Sequence, residues 1–399
     1  MHIGIAGWCN PAEFVAYLDD NKNVMSIYEA ATAVNTYIKQ LLDSNHTVTI
    51  FTYHFSVKGR KNVVQYHGDR LHIYILSKDP IINRIGLQSR FYMPGRLKKF
   101  MEKHLDGIDV LHAQWTYDFA LACKHFAKRL PVFCTVRDWC PYIRSIQRNL
   151  GGLSNKLWWD SSYVVFKMVM SGDAIHFIAN SHYTYKCITD AYPDKEVAII
   201  PNPIYRNDIL KEKKYTLVDP TFVSISQAIF DPRKNIITLI KSFNLYRKEV
   251  PQAKLYLIGK YTQTEYDNVA NDKTLSLDNI VFTGAVSHEQ VLDYIDQSTC
   301  LVHPAVEETF GNILVEAMAR HVVCVGGKKA GGVPQVLGNG KAGILCDVTD
   351  VNSLLDALKK SQDKEYIAPI LDNANHLMLS QYASDVNMEN TIKLYKVFL

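Results

Sequence analysis

The feature that most constrains this chain is a repeated alternation of short β-branched runs with longer helical patterns. The runs HIGIAG, HTVTIFTYH, LHIYILS, DVLHAQW, PVFCTVRD, AIHFIANS and VAIIPNP follow one another up to residue 203, with a helical pattern near 26–42 between the first two. Strands alternating with helices make βαβ units, and such apolar strands belong to a parallel sheet covered on both faces. From Tyr205 to Pro220 the chain turns polar and charged, YRNDILKEKKYTLVDP. The alternation then restarts with TFVSISQA, KLYLIGK, NIVFTGA, CLVHPA, VVCVGG and AGILCDV. With 399 residues the chain is longer than the roughly 250–300 at which single cores stop growing. The expected fold class is α/β, with two doubly wound parallel-sheet domains over residues 1–203 and 204–382. A last helix at about 383–399 either ends the second domain or packs back on the first. Ligands bind beyond the carboxyl ends of the strands in open parallel sheets, so the active site is expected in an interdomain cleft.

Composition narrows the class. With 47% hydrophobic and 21% charged residues the chain is neither disordered nor fibrous. Residues 1–203 carry 23 Lys and Arg against 17 Asp and Glu, and the remainder 21 against 23, so the basic excess lies in the first half. The cysteines at 9, 123, 134, 140, 187, 300, 324 and 346 form no C-x-x-C pair or Cys/His cluster. That pattern argues against a zinc site or disulfide framework and fits a cytoplasmic setting. No signal peptide is visible at MHIGIAGWCNP, nor any apolar run near the roughly 20 residues of a spanning helix.

The chemistry concentrates in VHPAVEETFGNILVEAMA, residues 302–319. CLVHPA reads as a buried strand and TFGNILVEAMA as a helix capped by Thr309, with Gly311 and Asn312 in its first turn. Amides at a helix start lack intrahelical acceptors and point outward with the positive end of the dipole, where a phosphate fits. Gly311 permits close approach. Glu316 can then accept from vicinal ribose hydroxyls, and Glu308 can hold a sugar attached to the phosphate. Two glutamates around a helix start also serve as capping and solvation features, and these residues alone leave both readings open.

The motif resembles the signature of retaining glycosyltransferases with two facing Rossmann-like domains and an interdomain cleft (the GT-B fold), the group 1 or family-four type. Glu308, Phe310, Gly311, Glu316, Ala317, Met318 and Ala319 meet that signature. AGGVPQVL at 330–337, with Gln335 in place of the usual acid, DPRKN at 231–235, and LIGK, VFTGAVSHEQV and IPNPI fall in the family's order. The resemblance implies a nucleotide-diphosphate sugar donor on the second domain and an acceptor on the first. It assigns Lys234 to the diphosphate, Glu316 to the ribose and Glu308 to the donor sugar. Backbone amides of Gly311, Asn312 and Ile313 would meet the phosphate, and the segment after Gly284 would frame the base. Arg233 either assists Lys234 or is solvated. On the acceptor or sugar side the resemblance points to His112, Gln114, Arg137 and Asp138. It implies no cofactor and no metal.

This chain departs from the family pattern in several places. Ala228 stands where many members carry a second phosphate-binding arginine, Gln114 where a histidine touches the transferred sugar, and Arg137 where another histidine is common. The glycine-rich turn before the first helix is replaced by SIYEAATAV, with Tyr28 and Glu29. His112 remains, although a buried strand histidine is more commonly structural. The expected activity is transfer to a polysaccharide or lipid-linked acceptor. A sugar-nucleotide epimerase of the same fold and a non-catalytic nucleotide-sugar binder are the rival readings. Residues 84–105, RIGLQSRFYMPGRLKKFMEKHL, contain Arg84, Arg90, Arg96, Lys98, Lys99 and Lys103 against the single acid Glu102. With the tryptophans of RNLGGLSNKLWW, this segment suits an anionic membrane surface at the inner face of the cell membrane. No nucleic-acid-binding motif accompanies it.

Overall fold

The computed structural model describes residues 1–20, 22–28, 31–59, 62–78, 87–214 and 219–399. Glu29, Arg84 and residues 215–218 of the polar break therefore lie outside the described residues. Two compact units are present, Met1–Pro201 with Asn387–Leu399, and Asn202–Val386.

Unit 1 is built on β1 (His2–Ala6), β2 (Thr47–His54), β3 (Val63–His67), β4 (Leu71–Ser77), β5 (Val110–Gln114), β6 (Val132–Val136), β7 (His176–Ala179) and β8 (Val197–Ile199). Their order in the sheet is β3-β4-β2-β1-β5-β6-β7-β8, with only the β3–β4 pair antiparallel. The sequence reading missed β3. Its VVQYH is half-exposed at the sheet edge, so it lacks the apolar run of the buried strands. The first helix begins at Thr32, later than the expected 26, because Tyr28 has φ 51° and the chain before it is not helical.

Helix Thr32–Asp43 buries Val34, Tyr37, Ile38 and Leu41 against one face of the sheet, spaced at the helical period. Helix Leu153–Met170 buries Val165, Phe166, Val169 and Met170 on the other face. The C-terminal helix Ser384–Lys396 contributes Met388 and Tyr395 to the first of these layers. The Tyr395 hydroxyl bonds to His112 Nδ1 at 2.6 Å and to the Tyr37 hydroxyl. His112 Nε2 in turn bonds to Thr135 Oγ1 at 2.7 Å. Burial, reinforced by the Arg137 charge, lowers the His112 imidazole to about 3, so it stays neutral inside this network.

Unit 2 carries β9 (Thr221–Ala228), β10 (Lys254–Lys260), β11 (Ile280–Gly284), β12 (Cys300–His303), β13 (Val323–Gly327) and β14 (Ile344–Cys346). All run parallel in the order β11-β10-β9-β12-β13-β14.

Replacing Tyr395 by Phe removes the closer partner of the buried His112 Nδ1 and leaves it the Tyr37 hydroxyl at 3.4 Å, and should cost unit 1 about 1–3 kcal/mol. Tyr395→Ala, which also opens a cavity, should cost about 3–5 kcal/mol. Urea unfolding followed by a probe in unit 1 measures both. A Tyr395→Phe protein as stable as the parent would remove the hydroxyl network from the account of how this helix is held.

Candidate active site

The strand order of unit 2 reverses between β9 and β12, because β9 continues to β10 on one side and β12 to β13 on the other. Those two strands pair only through Cys300 with Phe222 and Leu301 with Val223, then diverge toward their carboxyl ends. A crevice at such a switch point is where open α/β sheets take ligands. The loop after β9 supplies Arg233 and Lys234, and the loop after β12 supplies Glu307 and Glu308. A backbone bond from Val306 N–H to the Arg233 carbonyl, 2.9 Å, ties the two loops together.

Lys234 Nζ donates to Glu308 Oε2 at 2.7 Å, and His303 Nε2 lies 3.5 Å from the same oxygen. Burial alone would raise the Glu308 carboxyl. The Lys234 charge and His303 more than offset it and hold the group well below the usual carboxylate range. His303, buried at the end of β12, is lowered by the same desolvation despite the neighbouring carboxylate. The two residues given separate tasks by the resemblance thus form one ion pair. Arg233 is differently engaged. Its Nε and NH2 donate to the two oxygens of Asp231 at 3.2 and 2.8 Å, and NH1 is 3.9 Å from Glu307 Oε2. Arg233, expected either to assist Lys234 or to be solvated, braces its own loop in this arrangement. Ala228, at the end of β9, is exposed and brings no charge.

Helix Asn312–Ala319 starts two residues later than expected. Its N-cap is Gly311, with φ 91° and ψ 64°, and not Thr309. A left-handed residue cannot continue a helical turn, and glycine takes that conformation without steric cost. The amides of Asn312 and Ile313 therefore open the helix, and Asn312 Oδ1 accepts from Asn202 Nδ2 at 2.7 Å. Phe310 is interior, edge-on to Tyr382 with ring centroids 5.6 Å apart. Phe310, expected on the donor side, anchors the turn from within the core. Gly332, in the AGGVP loop, donates to the Glu308 carbonyl at 2.8 Å, and a Cβ there would lie 2.2 Å from the Thr309 carbonyl oxygen. Glu316 is buried one turn along, with Oε2 3.3 Å from His288 Nε2. Gly284 ends β11 at φ 73°, with open space where a side chain would stand.

The family models match this arrangement across most of the chain. Residues 208–376 match the model described as "Glycosyl transferases group 1" and residues 30–207 the one described as "Glycosyltransferase Family 4". The chain belongs to the group 1 glycosyltransferases of the two-Rossmann-domain fold. It is 27% identical over 202 residues to an N-acetyl-alpha-D-glucosaminyl L-malate synthase of Bacillus anthracis, covering 48% of this chain and 51% of that protein. To the phosphatidylinositol N-acetylglucosaminyltransferase gpi3 subunit of Schizosaccharomyces pombe it is 28% identical over 179 residues, 43% of this chain and 38% of the other. The chain thus spans about half the length, or less, of these curated relatives. Among solved structures, sucrose-phosphate synthase from Thermosynechococcus elongatus superposes with a TM-score of 0.74 at 15% identity, over 100% of this chain and 98% of that one.

In unit 1 the expected sugar-side residues separate. His112, expected on the acceptor or sugar side unless structural, is enclosed by Tyr37, Tyr395 and Thr135. Gln114 and Arg137 remain together at the strand ends, where Arg137 Nε donates to Gln114 Oε1 at 2.8 Å. Asp138 is half-buried beside them. Of the basic segment, Arg90 is buried. It is ion-paired with Asp118 at 3.1 Å, bonded to Ser162 and stacked on Trp158. Arg96 donates to the Ser77 carbonyl, while Lys99 and Lys103 are exposed. CLVHPA and VSHEQV contain His303 and His288, to which the sequence alone assigns no task. The only signal available was a histidine five residues before Glu308 and another four after Gly284.

The depressed Glu308 carboxyl sets a pH dependence. Its ionised form stabilises unit 2 fully above its unfolded value of about 4.3, and that contribution is lost as pH falls through the lower folded value. Glu308→Gln should therefore lose stability at neutral pH, by an amount that narrows on acidification below about pH 4. Urea unfolding of both proteins between neutral pH and the acid range measures it. A gap that stays flat or widens in acid would show that the pair does not hold the carboxylate ionised.

Proposed function

We propose that the chain is a retaining, metal-independent glycosyltransferase moving a sugar from a nucleotide-diphosphate sugar to a polysaccharide or glycolipid precursor. The observation that carries this reading is the grouping of Lys234, Glu308, the glycine-capped helix start and Glu316 around one switch point of unit 2. Each element has a place in the reaction. Amides of Asn312 and Ile313 and the Lys234 ammonium neutralise charge gathering on the diphosphate as it leaves, where fixed dipoles and cations act most strongly. Glu316 accepts from the ribose hydroxyls and His288 steadies that carboxylate. Glu308 orients the donor sugar through its hydroxyls. The bond from the anomeric carbon to the diphosphate breaks as the acceptor oxygen bonds to the same face. The acceptor proton passes to the departing phosphate oxygen, so the configuration is retained without a protein base opposite the leaving group. The gpi3 relative, named for transfer to phosphatidylinositol, supports a lipid acceptor.

An anionic membrane surface belongs to the same reading. Among the described residues no helix is long and apolar enough to cross a membrane. Exposed Leu153, Leu157, Val164 and Met168 instead make an outward stripe on helix Leu153–Met170, flanked by the exposed Lys156 and Lys167. Each basic residue near an anionic surface contributes about 1 kcal/mol. Sedimentation with anionic vesicles at low salt, and its loss at high salt, is the expected behaviour. Equal binding to neutral vesicles would contradict it.

Nucleotide-sugar binding followed by nucleotide release with and without acceptor tests transfer against its rivals. An epimerase interconverts the sugar nucleotide without acceptor, and a binding protein releases nothing. Glu316→Ala should weaken free nucleoside diphosphate by about 1.5–3 kcal/mol, the worth of hydrogen bonds to a charged acceptor, read by calorimetric titration. Lys234→Ala should lower turnover more than it raises the donor Michaelis constant, because the cation acts on charge that develops in the transition state. Proton NMR of the first-formed product should show an α-linkage from an α-linked donor, undiminished by a chelator. A β-linked product, or activity abolished by chelation and restored by magnesium, would overturn the mechanism.

A further inference from the structure

Two residues that the proposed reaction needs apart are bonded to each other. Lys234 has to reach a diphosphate and Glu308 the hydroxyls of a sugar, yet Lys234 Nζ and Glu308 Oε2 lie 2.7 Å apart and both side chains are half-buried. Drawing the lysine away leaves a partly desolvated carboxylate short of its cation, and a charge in that position needs another hydrogen-bond donor. His303 is placed to supply one. It is the last residue of β12, every residue of which is buried, and pairing with Gly326 on β13 fixes its backbone. Alternation along the strand sends Cys300 and Val302 into one core layer and Leu301, with His303, toward the other. His303 Nε2 is 3.5 Å from the same Oε2 that Lys234 holds, at the far limit of a hydrogen bond, and it makes none among the described residues. A buried ring nitrogen without a partner is uncommon and asks for an explanation.

We propose that His303 is a positioning residue that takes over Glu308 when a nucleoside diphosphate draws Lys234 away, keeping the carboxylate ionised and aimed at the donor sugar. The inference rests on the glycosyltransferase reading above and deepens it, by naming the exchange of partners that binding sets off in its site. Burial keeps the imidazole neutral, so its Nε2–H form can donate to the carboxylate. The strand end is fixed, so the Glu308 side chain makes the small movement that closes the bond. Hydrogen bonds to a charged acceptor are stronger than those between neutral groups, which lets His303 replace much of what Lys234 supplied. The charged groups that act on His303 are Glu308, which raises it, and Lys234, which lowers it. Moving the ammonium onto a diphosphate removes the second influence and adds negative charge nearby, and both changes raise the ring's affinity for a proton.

NMR of the full chain carrying isotope-labelled histidine tests this, with the His303 nitrogens assigned from the spectrum of His303→Gln. The diphosphates of uridine, guanosine, adenosine, cytidine and thymidine are titrated and the tightest is kept. Its binding should move the His303 Nε2 resonance to that of a hydrogen-bonded N–H and raise the pH at which the ring titrates. Lys234→Ala should show the raised titration with no nucleotide present. His303→Leu should weaken the nucleoside diphosphate about tenfold or more, the worth of a hydrogen bond to a charged acceptor, and His303→Gln, which keeps an N–H, should recover part of the loss. In the Lys234→Ala background no ion pair has to open, so there His303→Leu should change the affinity by about twofold or less. A role confined to packing would give the same loss in both backgrounds. That equality, or a His303 resonance unmoved by bound nucleotide, would overturn the inference. If His303→Leu does not fold, the titrations of the parent and of Lys234→Ala decide. If none of the nucleoside diphosphates binds the parent, the glycosyltransferase reading falls and takes the inference with it. If one binds and His303 does not respond, only the inference falls.

Discussion

Each unit is organised by the reversal of strand order within its parallel sheet. Where neighbouring strands send their connections in opposite directions, no crossover covers their carboxyl ends, and the loops there are exposed side by side. In unit 2 that place lies between β9 and β12, whose pairing stops after two residue pairs. Everything assigned to donor chemistry hangs on the two loops that part there. The Val306 to Arg233 backbone bond holds them at one spacing, and the Lys234–Glu308 pair spans them.

Within the motifs that carry the family resemblance, the residues divide by what they touch. Phe310 sits in the core against Tyr382, Arg233 clamps Asp231, and Gly332 is pressed on the Thr309 carbonyl. These build the turn. Lys234, Glu308, the amides after Gly311 and Glu316 are the groups that the turn presents. A side chain in the first class changes the site only by moving the second, which is why a motif read as one functional string is chemically two sets.

The fold was legible because buried parallel strands are nearly continuous apolar runs, and all six strands of unit 2 fall on runs such as CLVHPA and KLYLIGK. The edge strand β3 escaped, since VVQYH is half-solvated and shares its pattern with loops. The placement of candidate residues was legible where geometry follows from spacing along one helix, as for Gly311 and Glu316. It was not legible where the contact is made across the sheet. Nothing in the order of residues announces that Lys234 meets Glu308, that His303 lies beneath them, or that His112 is sealed by Tyr395. The helix start was misplaced because Thr309 is a good capping residue by type, while the backbone turn at Gly311 decides the boundary.

The chain leaves unit 1 at Pro201 and re-enters it at Asn387, so unit 2 is an insertion in the connectivity of unit 1. During synthesis the inserted unit is contiguous and complete before residues 387–399 have been made. The layer of unit 1 that contains Met388 and Tyr395 must then wait, with Tyr37 and Val34 lacking their final cover. Domains usually form in order from the amino terminus as they emerge. Here the first domain to begin is the last to close, and its half-covered sheet is the species that a folding chaperone would meet.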